Sequence, residues 1–119
     1  MGDYLPKYKP GQTMTRALTG TVTGGRIITA AGVTAGANAT DFIGVAGRDG
    51  VSGDRIPVER GGVQRLVASG AIAIGDNVKC GAAGAVATHV VGTDAAERRV
   101  GKALEAATDG NELDVLWID

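Results

Sequence analysis

A chain of 119 residues with 12 basic and 13 acidic side chains and a formal charge of −1 fits one domain with one core, and excludes a surface built to hold nucleic acid, which needs a strong positive field. Cys80 is the single cysteine, so no internal disulfide forms, and with His89 as the single histidine no ordinary zinc site can be assembled. The hydrophobic fraction of 44% includes nineteen alanines, and only Phe42, Trp117, Tyr4 and Tyr8 are aromatic, so the core is thin and gains from neighbouring subunits.

Residues 1–12 come first, with Pro6 and Pro10 and no sustained helical or strand period. They are expected to form an extended arm, and half of the aromatic residues sit in it. Tyr4, Leu5, Lys7, Tyr8 and Lys9 are candidate contacts to a neighbouring surface or subunit, because tyrosine offers contact area with a polar tip. Residues 1–40 carry a net charge of +3 and the remainder −4, so the two ends are suited to different partners. No apolar leader and no stretch of membrane-spanning length occurs, and the expected setting is a soluble protein made in the cytoplasm.

From residue 13 onward, short β-type runs alternate with glycine-rich turns, at 21–23, 26–29, 42–46, 55–59, 63–68, 71–74, 77–80, 85–91, 99–104 and 112–118. Such spacing predicts an all-β domain over 13–119, a small barrel or sandwich. Pro57 lacks a donor, which predicts an edge position for its strand. In the last run Leu113, Val115 and Trp117 share one face, so the strand is expected to lie under another element or at a subunit contact with Trp117 as anchor. Residues 94–99 alone look locally helical.

The chain also repeats itself. Residues 43–58 return at 100–115 at a constant offset of 57, and residues 19–25 return at 69–75 at an offset of 50. The repeat spans about 18–58 and 68–115, two similar halves of one sheet structure rather than a solenoid, which needs more copies. Gly53-Asp54, Gly75-Asp76 and Gly110-Asn111 recur as tight turns that launch a strand. They are folding signals, since isolated carboxylates at turns make no cation cage.

Catalysis finds little support. Neither Ser52 nor Ser69 lies in a nucleophile elbow, and a lone His89 in a β-run is ordinarily a packed or surface residue. Residues 81–86 are glycine-rich without the Gly-Lys-Ser/Thr of a phosphate loop. Cys80 is expected to be a buried small apolar residue. No catalytic residue, metal or cofactor is therefore expected.

With residues 20–27 (GTVTGGRI), 42–46 (FIGVA), 68–78 (ASGAIAIGDNV) and 100–110 (VGKALEAATDG) in this order, the chain resembles tailed-phage capsid decoration or cement proteins over roughly 18–118. The resemblance implies a virion protein that binds the major capsid protein on the outer surface of an assembled head, as a homotrimer at three-fold positions, and stabilises the shell. It brings no catalytic residues and does not cover the arm. The reading from another class is a small monomeric β module that binds carbohydrate or another small ligand.

Overall fold

A computed structural model describes residues 13–117. Four strands, β1 (Met14–Ala17), β2 (Ile27–Thr29), β3 (Phe42–Ala46) and β4 (Arg55–Glu59), form one sheet in the order β1-β4-β3-β2. Five more, β5 (Val63–Val67), β6 (Asn77–Cys80), β7 (Val86–Thr88), β8 (Arg99–Ala103) and β9 (Glu112–Trp117), form a second in the order β5-β9-β8-β6-β7. All the strand pairs are antiparallel. The fold is all-β and sandwich-like, with two open sheets in place of a closed barrel.

The sequence repeat is a repeat of hydrogen-bond register. Ile27 faces Val45 and Ile28 faces Gly44, while Asn77 faces Lys102 and Val78 faces Gly101. A register shift follows both times, between Ile28 and Thr29 and between Val78 and Lys79. Thr15 opposite Pro57 becomes Arg65 opposite Asp114, and Ala46 opposite Val58 becomes Ala103 opposite Val115. On the other side of β3 and β8, Gly44 and Gly101 let the next strand approach closely: a Cβ on Gly44 would stand 2.6 Å from the Glu59 carbonyl oxygen, and one on Gly101 would collide with that of Leu116.

Each half has a matching set of inward residues. Leu18, Val22, Ile28, Ala46, Ile56 and Val58 form one cluster in the first half. Their counterparts, Ala68, Ile72, Val78, Ala103, Leu113 and Val115, belong to the larger second cluster. That cluster also takes in Ile27, Phe42 and Val45, which point away from the first cluster. The outward face of the first sheet is thus packed against the inward side of the second. At the equivalent outward positions the second half has Asn77, Arg99 and Lys102. Apolar outward residues mark the covered face and polar ones the open face, as burial requires.

The turn motif predicted from Gly-Asp occurs, and its carboxylates bond backward along the chain. Gly53 and Gly75 adopt φ of 94° and 86°, the left-handed region where glycine carries no Cβ penalty. The carboxylates of Asp54 and Asp76 reach back to accept from Val51 N–H and Ala73 N–H, each at 3.0 Å, rather than onward along the strand. The next strand starts from a turn closed at both backbone and side chain.

Several expectations change. β4 lies between β1 and β3, so Pro57 is not on an edge strand. Its carbonyl accepts from Gly47 N–H at 2.9 Å, and because N–H and C=O of one extended residue point the same way, the missing donor faces the loop where β3 has ended. Residues 94–99 form only a short 3-10 turn at Ala96–Arg98. β1 was not anticipated, and runs 21–23 and 71–74 reduce to single bridges, Val22 to Gly50 and Ile72 to Ala107.

Candidate functional site

The expected contact residues Tyr4, Leu5, Lys7, Tyr8 and Lys9 lie outside the described residues. Trp117, the sixth, lies under another element: it is 4% exposed and its ring meets Phe42 edge-on at 5.8 Å, the strand at 112–117 being covered by the first sheet. Two regions of the described residues open to a partner are the outward face of the second sheet and a cleft beside it.

On that face Val63 and Leu116 stand directly opposite each other and both are exposed. Lys102 lies across from Leu116 on the other side. Leu104, also exposed, follows the end of β8 and is tied by its N–H to the Asp114 carbonyl at 2.9 Å. Beside this apolar stripe Arg65 Nη1 donates to Asp114 Oδ1 at 2.9 Å and Glu105 Oε1 at 3.1 Å, with Glu112 at 3.9 Å from its Nε. Its hydrogen bonds to Asp114 and then Glu105 raise the Arg65 pKa above its ordinary value. Three carboxylates around one guanidinium leave the rim acidic, and all four side chains are about half exposed, so the cluster orients contacts more than it adds stability.

The cleft, about 570 Å³, opens where the second half is longer than the first. Its rim is the stretch from Val90 to Arg98, held by Asp94, whose carboxylate accepts from Lys79 Nζ at 2.8 Å and from Val90 N–H at 2.9 Å, with Arg98 at 3.6 Å. The Lys79 bond, and next the Val90 N–H, hold the Asp94 pKa below the usual carboxylate range. His89, 7% exposed, is packed as expected, and its Nε2 lies 2.9 Å from the Ala95 carbonyl, which can only accept, so Nε2 carries the hydrogen. In the neutral ring the orphan Nδ1 then presents a lone pair.

Cys80 is fully buried, and burial, followed by the charge of Asp41, pushes its thiol up to about 12. It is an inert core residue, as its type and setting predict. Among the described residues no group of three or more His, Cys, Asp or Glu side chains is placed to hold a metal ion. Among them no helix is long and apolar enough to cross a membrane.

The sequence does carry a signal for the open face. Ile27, Phe42 and Val45 against Asn77, Arg99 and Lys102 is a contrast between equivalent positions, readable once the two copies are aligned. The cleft had no such signal, because Thr40, Asn77, His89 and Arg99 are brought together only by the fold.

The comparisons with known proteins agree with this architecture. The profile of the family described as phage cement protein matches residues 7–117. The crystal structure of the head fiber gp8.5 N base in bacteriophage phi29 superposes with a TM-score of 0.69 at 22% sequence identity, covering 89% of this chain and 92% of that one. At that identity the likeness is one of fold. No curated protein sequence matches the chain.

Proposed function

The chain belongs to the phage cement protein family, a family of capsid-stabilising structural proteins, and on that premise we propose that it binds the outer surface of an assembled head as a trimer at three-fold positions, with the major capsid protein as partner. The family match over residues 7–117 is the observation that carries this reading. We assign it a mechanical role, a reading supported by the setting of the two residues best suited to catalysis: His89 Nε2 lies against a backbone carbonyl and Cys80 is in the core.

The geometry supports it in two ways. A thin core stabilised by three copies, with every weak shell contact made three times, gains retention by avidity. The Val63, Leu116 and Leu104 stripe with its acidic rim offers apolar contact area that no other part of the described chain covers. The arm residues Tyr4, Leu5, Lys7, Tyr8 and Lys9 are assigned to the shell or an adjacent protomer on their aromatic and basic character.

The test is sedimentation of the purified chain with assembled heads and, separately, with unassembled coat subunits. Saturable binding to heads at a stoichiometry on the scale of the coat protein is expected, with weaker binding after deletion of residues 2–12. Equal binding to free subunits, or none to heads, overturns the proposal. Unchanged binding after the deletion removes the role given to the arm.

A further inference from the structure

The repeat shows what this fold needs for its own sake, and the cleft lies in what the second half adds to it. The stretch between β6 and β8 is longer than its counterpart between β2 and β3, and it is anchored by the Lys79, Asp94 and Arg98 network. That network holds a shaped rim in place, 9% exposed at the Asp94 side chain. A loop that only connected two strands would have no use for it.

Polar groups converge on this cleft without using one another. No hydrogen bond or ion pair among the described residues reaches the side chains of Thr40, Asn77, Glu97 or Arg99, all of which line it. Asn77 Oδ1, Arg99 Nε and His89 Nδ1 are orphaned at buried atoms of the same wall, and His89 is 93% withdrawn from solvent by its 7% exposure. Buried polar atoms without partners are costly, and three in one wall mark a place completed from outside. The cleft volume lies in the range of small-ligand sites.

The chemistry of the lining narrows the ligand. Glu97 and His89 Nδ1 accept, Arg99 donates, and Thr40 and the Asn77 amide do both. A carboxylate ligand would meet Arg99 but face Glu97, and an amine the reverse. A hydroxyl donates and accepts at one atom, so a ring carrying several hydroxyls serves the whole set with no net charge. Val91 and Ala96 supply an apolar strip for the ring's C–H face. We propose that the cleft between Thr40, Asn77, His89, Glu97 and Arg99 binds a neutral saccharide, free or at the end of a glycan. This stands independently of how the chain docks on a shell.

The test uses the full chain labelled with nitrogen-15 and titrated with neutral hexose and N-acetylhexosamine mono- and oligosaccharides, followed through the amides of Thr40, Asn77 and Gly92 and the His89 ring. Saturable shifts confined to these signals are expected, from monosaccharides if the ligand is free sugar and from oligomers alone if it is a glycan end. Arg99→Met and Thr40→Val, made separately, should each weaken binding by about tenfold, the worth of one good hydrogen bond, with the dispersed spectrum intact because neither side chain has a partner to lose. Absence of saturable shifts with every sugar overturns the proposal. So do equal shifts from glycine or acetate, unaffected binding in both variants, or protection of these amides only when assembled heads are added.

Discussion

The ring of Trp117 meets Phe42 edge-on, 5.8 Å between centroids and 89° between planes, and this contact joins the two halves of the chain. Phe42 belongs to β3 in the first sheet and Trp117 ends β9 in the second. Aromatic pairs of this geometry are worth about 0.5–1.5 kcal/mol beyond the area they bury. Trp117→Ala and Phe42→Ala should each cost about 3–5 kcal/mol, and urea unfolding of the double variant should recover a coupling in the lower range. Additive losses would show that the halves are joined elsewhere.

Gly101→Ala tests the duplicated close approach of strands. Its new Cβ would press on the Leu116 carbonyl and stand 3.0 Å from the Val115 side chain, an overpacking expected to cost about 1–3 kcal/mol. Gly44→Ala meets the equivalent Glu59 carbonyl and should behave alike. Denaturant midpoints of the two variants are the measurement, and an unshifted midpoint in either means that the strands can part there without loss.

Alkaline stability should report on Cys80. Its folded thiol is raised to about 12 while the unfolded thiol titrates near 8.5. Between those values the unfolded chain loses a proton that the folded chain keeps, so folding weakens as pH rises, with a limiting slope of about 1.4 kcal/mol per pH unit. Cys80→Ala should flatten that slope between about pH 9 and 11 in thermal melts. The wild-type thiol should also react with a disulfide reagent only on unfolding.

On the acid side the group to watch is Asp94. Its carboxyl is held below the usual range, chiefly by Lys79 and then by the Val90 N–H. A depressed carboxylate contributes stability above its unfolded pKa of about 4 and loses it as pH falls through the folded value. Lys79→Met removes the main cause. The variant should melt lower than wild type at neutral pH, with the gap closing as the solution is acidified below about pH 4. A gap that is constant with pH would assign the loss to packing.

Strands with strong alternation and clean turns were legible in the sequence. Phe42–Ala46, Arg55–Glu59 and Asn77–Cys80 occupy the residues expected of them. β1 was not, because Met14-Thr15-Arg16-Ala17 has a mostly exposed, polar pattern and becomes a strand through its ladder to β4. The offset of 50 that links it to Gln64–Val67 was the only local clue. Val22 and Ile72 each bury one side chain through a single bridge, which a propensity reading cannot tell from a short strand. Pro57 misled because an edge was inferred from the missing donor, whereas a loop beside a central strand meets the same need. The open face and the cleft depend on which copy covers which, a relation between halves that neither half contains.

Two ladders with one register pose a hazard of mistaken pairing, since β5 could lie against β4, or β1 against β9, with every backbone hydrogen bond intact. The Arg65 cluster discriminates between them. Opposite β9 it meets Asp114, Glu105 and Glu112. The same side chain laid on β4 would face Pro57, with Arg55 and Arg48 standing where Glu112 and Glu105 stood. β1 laid on β9 would bring Thr15 in place of Arg65 and leave three carboxylates crowded without a cation. Half exposed and of small worth to the finished fold, these charges act as a label by which a nascent chain distinguishes its second ladder from its first.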